Sequence, residues 1–391
     1  MVTLQNADKA LKSFYLDAIS DSLNYKVNPF LAQVQQTSTN IVGKDIKKLV
    51  RLGFNGGISA GSETGDLPAA TDSTTLIMTA QLKNLYGTFE ISDKALRASA
   101  TDDGAFVNLL NEEMQGLVRS ANFNFGRMLF GDGTGKVAVL ESVGTKNVIT
   151  LDDVSSLAEG MHIDFYTPAG VAIDMFTNVP ITAVDRGAKT IKISSSTTIT
   201  SQLVEIGSYV YLHNSKGYEL TGIGSLFSDS TTVYGVNKQA TTFMQPYKND
   251  EVGAISAGAI QKAIDTIEEQ SGAKTNFIVC SWGVRRALVE WYRERNIELP
   301  TMEINGFKAL SFDGIPVLTD RFCPEGTMYL LNTEDFKLYQ LCDWQWLEGE
   351  DGKILKQVPG KPVYTATLVK YAELLCERPC GQGRLSGITE A

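Results

Sequence analysis

"LFGDGTGKVAV", Leu129–Val139, has three glycines within five residues, followed by a lysine. A nucleotide-binding P-loop requires Gly, four residues and then Gly-Lys-Ser/Thr, because backbone N–H groups surround the phosphates and the hydroxyl binds magnesium. Here Phe130 stands where the first glycine is needed, and Val137 stands where the hydroxyl is needed. Gly and Asp-Gly also end helices and form tight turns. The stretch therefore predicts a helix-ending turn rather than a phosphate site, and its turn residues are Gly131, Asp132, Gly133 and Gly135.

The residues before this turn have the clearest helical periodicity in the chain. Their apolar residues recur at the spacing of one helix face; they are Phe106, Leu109, Leu110, Leu117, Ala121, Phe125 and Met128. Thr101, Asp102 or Asp103 can cap the helix and place negative charge at its positive end. We predict a helix over about 102–130, which spans roughly 40 Å at 1.5 Å per residue.

The residues after the turn change to β character. Between 137 and 213, short β-branched runs such as "NVITLDD", "KTIKISS" and "SYVYLHN" alternate with Gly, Asp, Asn and Ser. This pattern is typical of a small barrel or sandwich. His162 and His213 are the only histidines, and both lie in strand-like runs. We predict that both are surface strand residues rather than catalysts. With only two histidines in the chain, few Ser-His-Asp or Cys-His catalytic arrangements are possible.

A basic segment and a glycine-rich segment precede the helix. Lys44, Lys47, Lys48 and Arg51 lie in a segment of extended character, whereas Gly53–Thr75 contains no Lys or Arg. The second segment is rich in Gly, Ser, Thr and Ala, so it cannot bury a core and is predicted to project as a long loop or loose hairpin. The four basic residues would allow this segment to act as an arm that binds nucleic acid. An arm that docks on an acidic neighbour is favoured, because the rest of the chain is acidic.

The last third of the chain alternates helices and strands. "SAGAIQKAIDTIEEQSG" and "WGVRRALVEWYRERN" predict helices on either side of the buried strand "KTNFIVCS". Four arginines and two tryptophans in the second helix permit nucleic-acid binding. An amphipathic helix with a solvated face is favoured, because Glu290 and Glu294 balance the arginines.

Composition and charge argue against several classes of function. The 391 residues are 43% hydrophobic and 20% charged, which suits a soluble protein with two or three cores. A net charge of −10 makes the chain a poor general binder of nucleic acid. The five cysteines match no zinc-ligand spacing and favour reduced thiols. The first residues, "MVTLQNADKALKSF", lack the basic and then apolar pattern of a secretion signal. No apolar run approaches the roughly 18 residues of a membrane span. We therefore predict no catalytic, cofactor-binding or metal-binding residue and no enzyme activity.

Four segments follow one another over nearly the whole chain: the loop ending "GSETGDLPAA", the helix closing in "LFGDGTG", the segment "GYELTGIGSLF", and "FDGIPVLTDRFCPEGTMYLLNTEDFKLY". In this order they resemble the tailed-bacteriophage major capsid proteins of the Hong Kong 97-like fold. They are similar to that family's N-terminal arm with its extended E-loop, its spine helix, the segment after the helix-ending turn, and the return from the axial to the peripheral domain.

The resemblance implies an α+β fold with an N-terminal arm, an E-loop, a peripheral domain carrying a long spine helix, and an axial domain. About 80 residues separate "GDGTG" from "GYELTGIG", so a small all-β domain is expected as an insertion. The implied boundaries are 1–52 for the arm, 53–82 for the E-loop, 83–136 for the peripheral domain with its spine helix at about 102–130, 137–213 for the inserted β-barrel-like domain, 214–252 for the peripheral domain continued, 253–345 for the axial domain, and 346–391 for the return to the peripheral domain.

The function implied by the resemblance is self-assembly into pentamers and hexamers of an icosahedral shell around a double-stranded DNA genome. The implied partners are further copies of the chain, a separate scaffolding protein, a portal, and DNA packaged without sequence-specific binding; a decoration protein stays open. No membrane is involved, and the chain is expected in the virion after synthesis in the host bacterial cytoplasm. The expected inter-subunit residues are Lys44, Lys47, Lys48, Arg51, Glu63, Gly65, Asp66, Leu67 and Pro68.

Two departures from the family pattern matter. Some relatives cross-link through an E-loop lysine, but Gly53–Ala80 contains no lysine, so that chemistry is not expected. Some relatives carry a scaffolding segment before the arm, whereas this sequence begins almost at the arm, which suggests a separate scaffolding protein or none. Two alternatives stay open: an encapsulin-like shell of a cellular compartment, and a soluble hydrolase with a β module and a catalytic carboxylate pair.

Overall fold

The structure is a computed structural model that describes residues 28–53, 57–66, 69, 74–94, 103–304, 307–349 and 352–391. Most of the predicted arm, residues 1–27, lies outside the described residues, as do the predicted interface residues Leu67 and Pro68. The described part contains both helices and several separate sheets. This confirms the predicted α+β class.

The described helices are α1 (Asp103–Phe130), α2 (Ile223–Phe227), α3 (Ala257–Ser271) and α4 (Trp282–Glu294). Serines begin the last two, because Ser256 Oγ accepts a hydrogen bond from the backbone N–H of Ala259 and Ser281 Oγ accepts one from Val284. Gly272 ends α3 in the left-handed conformation, with a φ of 66°. None of the helices in the described ranges combines the length and the apolar character that a membrane crossing requires.

The strands before and within the barrel are β1 (Gln35–Thr37), β2 (Ile41–Val42), β3 (Asp45–Arg51), β4 (Thr75–Gln81), β5 (Lys83–Ser92), β6 (Lys136–Val143), β7 (Val148–Leu151), β8 (His162–Tyr166), β9 (Val179–Asp185), β10 (Thr190–Ile193) and β11 (Tyr209–Leu212). The later strands are β12 (Thr232–Val233), β13 (Val236–Asn237), β14 (Tyr247–Asn249), β15 (Phe277–Cys280), β16 (Thr301–Ile304), β17 (Phe307–Phe312), β18 (Ile315–Thr319), β19 (Met328–Leu331), β20 (Phe336–Trp346), β21 (Lys356–Gln357), β22 (Val363–Cys376) and β23 (Gly383–Leu385).

Two sheets form the body of the molecule, and a barrel is joined to it. A five-stranded sheet has the order β1-β20-β22-β21, with β5 also paired to β22, and a seven-stranded sheet has the order β14-β23-β19-β15-β18-β17-β16. Strands β6 to β11 close into a barrel in the order β10-β7-β6-β11-β8-β9. The barrel encloses an apolar core of its own, separate from the two cores of the body. The predicted small all-β domain is therefore present.

Helix α1 packs on the five-stranded sheet. The Phe125 ring meets Trp344 of β20 edge to face, with ring centroids 6.4 Å apart. Gly87 of β5 allows close approach, because a Cβ built there would lie 2.9 Å from Leu117 Cδ1. The observed helix, Asp103–Phe130, agrees closely with the predicted helix over about 102–130.

Three strands pair across the predicted domain boundaries. Strand β3, predicted as part of the arm, pairs along its full length with β4, which was predicted in the E-loop. Strand β20, predicted mainly in the axial domain, belongs to the five-stranded sheet. Strand β23, predicted in the peripheral return, adds to the seven-stranded sheet beside β14 and β19. The sheet to which each of these strands belongs is set by pairing with residues that are distant in sequence, and local sequence patterns contain no signal for such pairing.

Candidate inter-subunit surface

A hairpin made of β3 and β4 packs on the main core and has two different faces. In these strands side chains alternate between the faces. Ile46 and Met78 are fully buried against the main core. Among their neighbours on the opposite face, Lys47 and Ile77 are exposed, whereas Asp45 and Thr79 are half-buried. One face of the hairpin therefore packs on the main core, and the other carries its exposed side chains.

The outward face of the hairpin carries apolar side chains that the described part of the chain leaves in solvent. Leu49 is 60% exposed and Ile77 is 59% exposed, and the two are direct partners in the β3–β4 register. Val42 at the hairpin base and Ile58 towards its tip are 67% and 87% exposed. An apolar cross-strand pair of this kind contributes most when another surface covers it. The face has the character of an interface.

The four predicted interface cations divide into two groups. Lys44, Lys47 and Arg51 are exposed, and they form no ion pair with the residues that the structure describes. Lys48 turns to the inner side, where its Nζ lies 2.9 Å from Glu377 Oε1. Lys337 and Tyr339 contact the same carboxylate. Burial acts to raise the pKa of Glu377, but hydrogen bonds from its two lysines and the tyrosine hold it below the ordinary value.

Three predicted interface residues lie near the hairpin tip. Glu63, Gly65 and Asp66 are all exposed. The backbone N–H of Gly65 donates to the carbonyl of Ser62 at 3.2 Å, which forms a tight turn. The place of these three residues in an inter-subunit interface stays a prediction.

The glycine-rich turn follows α1 directly and joins it to the barrel. Asp132 Oδ1 accepts hydrogen bonds from the backbone and hydroxyl of Thr134, at 2.9 and 2.6 Å. Gly133 and Gly135 have φ values of 83° and 82°, a region that favours glycine. A Cβ on Gly135 would lie 2.6 Å from the carbonyl oxygen of Ser215. The order is helix, turn, strand, so the loop opens no helix that would bind a phosphate.

A buried ion pair holds the end of α1 against the chain that leaves the barrel. Arg127 and Glu219 make two parallel hydrogen bonds, and their side chains are only 5% and 4% exposed. Two residues further on, the Thr221 backbone N–H donates to Glu373 Oε1 at 2.6 Å. Burial raises the pKa of Glu373 to about 8. The sequence contains no local signal for either carboxylate, because strand pairing and barrel geometry create both environments.

The two ends of the barrel lie side by side. The backbone N–H of Gly217 donates to the carbonyl of Thr134 at 2.8 Å, and Lys83 Nζ donates to the carbonyl of Gly217 at 3.0 Å. A further contact joins barrel and body through the exposed pair Lys189 and Glu325, at 2.8 Å. A domain whose ends meet in this way can be inserted into a host domain without separating the host's strands.

A groove of about 790 Å³ runs between α1, β5 and the barrel. Its lining includes Tyr86, Arg119 and Trp344 from the body and both histidines from the barrel. His162 is an exposed residue at the start of β8, as predicted, whereas His213 follows the end of β11 and is half-buried. Sequence inspection missed this groove because its walls come from distant segments.

Helix α4 has the predicted amphipathic character. Val284, Leu288 and Tyr292 are buried, whereas the Arg295 guanidinium lies 4.4 Å from the Trp291 ring centroid. Arg286 Nε donates to the carbonyl of Ala391 at 2.5 Å. Arg286 and Arg295 therefore both interact with their own chain.

Comparison with solved structures matches the whole chain. The capsid asymmetric unit of cyanophage A-1(L) covers 94% of this chain with 94% of its own, at 10% identity and a TM-score of 0.57. The chain has the Hong Kong 97-like capsid fold. The capsid of an empty GTA particle matches 93% of this chain and 91% of its own, at 12% identity and a TM-score of 0.50.

An encapsulin from Synechococcus elongatus covers 93% of this chain at 9% identity, but its TM-score of 0.44 is too low to carry an argument. No protein-family model and no curated protein sequence matches the chain. The comparisons therefore give the capsid fold.

Proposed function

We propose that the chain is the major capsid protein of a tailed bacteriophage, which assembles into the pentamers and hexamers of an icosahedral shell around double-stranded DNA. The observation that carries the proposal is the whole-chain likeness to a cyanophage capsid protein. The role is structural and not enzymatic. The chain would be made in the host bacterial cytoplasm and end in the virion.

The proposed assembly contact is the outward face of the β3–β4 hairpin, made of Leu49, Ile77 and the exposed Lys44, Lys47 and Arg51. This face has apolar area at its centre and cations around it, which suits a neighbouring copy of a chain with net charge −10. A standard interface buries on the order of 800 Å² per partner. Many such contacts in a closed shell stabilise each other far beyond any single pair.

The proposed partners beyond the chain itself are a separate scaffolding protein and a portal. DNA would be packaged without sequence-specific contacts, because an acidic shell wall does not bind the genome tightly. The barrel, with its own core and adjacent ends, would brace neighbouring capsomers or receive a decoration protein. Replacing residues 136–215 by a Gly-Ser linker tests the barrel, because Thr134 and Gly217 already contact each other. Unchanged assembly and shell stability would count against a bracing role.

The hairpin proposal is tested by Leu49→Asp and Ile77→Asp in the full chain. Both side chains are exposed in the free subunit, so its melting temperature should change little, whereas each buried carboxylate would disrupt a subunit contact. Leu341→Asp is the matched control, because Leu341 is a 56% exposed apolar strand residue outside both the hairpin and the barrel. Size exclusion and electron microscopy should show shells for the control and free subunits for the hairpin variants. Shells from both hairpin variants would contradict the assigned contact.

A further inference from the structure

The only two histidines of the chain lie directly opposite each other on neighbouring strands. The register of β8 and β11 pairs Ile163 with Leu212, and the next residues outward are His162 and His213. The His213 backbone N–H donates to the His162 carbonyl at 3.0 Å. Directly opposed residues of an antiparallel pair point to the same face, with Cβ atoms about 4.5–5.5 Å apart. Both rings line the same groove between barrel and body.

An oxygen acceptor holds the Nδ1 atom of each ring. His162 Nδ1 lies 2.7 Å from Asn178 Oδ1, and His213 Nδ1 lies 2.8 Å from Asp164 Oδ1. Asp164 is itself fixed, because it accepts the backbone N–H groups of Asn178 and Asn214 and is only 4% exposed. In the neutral rings the proton therefore resides on Nδ1, and Nε2 keeps its lone pair.

This arrangement is the one found around metal-binding histidines. Such histidines donate their second ring N–H to a carboxylate, carbonyl or similar oxygen, which fixes the ring and the tautomer. Imidazole nitrogen suits zinc, copper and nickel. The described residues hold no cluster of three or more His, Cys, Asp or Glu side chains able to bind a metal, so a bound ion would complete its coordination with water.

We propose that His162 and His213 bind one transition-metal dication of the zinc, nickel and copper class through their Nε2 atoms. The ion would join the ends of β8 and β11 at the rim of the groove, where the chain leaves the barrel for the body. The sequence analysis predicted no metal site, because the two histidines are distant in sequence and only the barrel register brings them together.

The test is zinc titration of the purified, untagged full chain by calorimetry, with retention on immobilised nickel as a second readout. Wild type should bind about one Zn²⁺ per chain in a saturable manner. His162→Gln and His213→Gln should each weaken binding at least tenfold, and the double variant should abolish both zinc binding and retention. Because binding displaces protons from the ligands, affinity should also fall at pH 5.5.

Asn178→Gly tests the positioning of the His162 ring without touching a ligand. Asn178 has a φ of 55°, which glycine adopts without strain, so the fold should be kept while Oδ1 is lost. Loss of such a supporting group typically weakens metal affinity about 10–100-fold. A Cys342→Ser, Cys380→Ser double variant should bind zinc like wild type, which separates the site from the two thiols that are not fully buried.

Absence of saturable zinc binding by wild type would overturn the proposal. Unchanged binding by the double histidine variant would do the same, because the metal would then lie elsewhere. Circular dichroism of each metal-free variant checks that folding is intact, and a variant that fails this check is replaced by His→Asn at the same position.

Discussion

Alanine substitution of Gly135 measures how tightly the glycine-rich turn closes the junction between α1 and the barrel. Gly135 has a φ of 82°, and its added Cβ would lie 2.6 Å from the carbonyl oxygen of Ser215. The left-handed backbone alone costs a non-glycine residue about 1–2 kcal/mol. The collision adds about 1–3 kcal/mol, because backbone rather than a flexible side chain must move. Gly135→Ala should therefore lower the free energy of unfolding by about 2–5 kcal/mol.

Gly160→Ala is the matched control for this experiment. Gly160 has almost the same φ, 84°, but nothing lies within 4 Å of its added Cβ, so only the cost of the backbone conformation remains. Urea unfolding of the free subunit, followed by circular dichroism, should show the smaller loss of about 1–2 kcal/mol for the control. Equal losses for the two variants would refute the close approach at Ser215.

Three further predictions concern charged groups. Burial raises the pKa of Glu373 to about 8, so the folded chain holds a proton that the unfolded chain releases near pH 4.5. The free energy of unfolding should therefore fall as the pH rises from about 4.5 to about 8. Thermal melts of Glu373→Gln over the same pH range should lack this fall. Glu219→Gln leaves the Arg127 guanidinium buried without its counter-ion, so unfolding free energy should drop by about 3–5 kcal/mol, and a drop below about 1 kcal/mol would argue against the buried pair. Lys48→Met removes a partly exposed ion pair with Glu377 and should cost about 1 kcal/mol or less by urea unfolding, with shell formation kept; loss of shells would instead assign Lys48 to an interface.

Much of the fold could be predicted because the spacing of apolar residues along the chain indicates which segments are helices and which are strands. The apolar spacing and the glycine turn predicted α1 to within a residue or two, and the β-branched runs predicted the small all-β domain. The pairing of β3 with β4 was not predicted, because the alternation in β3 is weak and β4 lies beyond a long glycine-rich stretch. The sheets that contain β20 and β23 were not predicted either, since nothing local reports which distant strand will pair with them.

The candidate sites were less predictable than the fold. Lys44, Lys47 and Arg51 of the basic segment are exposed, and their place in an inter-subunit interface stays a prediction. Strand alternation turns Lys48 inward to Glu377. The buried Glu373 and the two opposed histidines arise from register across strands that lie far apart in the sequence. Single-sequence patterns contain no information about such registers, so these sites appear only in three dimensions.

Negative-stain microscopy of the chain expressed alone, after size exclusion, tests the central claim most directly. Wild type should form closed shells, tubes, or five- and six-membered rings, and the Leu49→Asp, Ile77→Asp double variant should remain a folded free subunit. A small fixed oligomer without five- or six-fold symmetry would contradict the capsid function. A double variant that assembles as well as wild type would contradict the hairpin as the assembly contact.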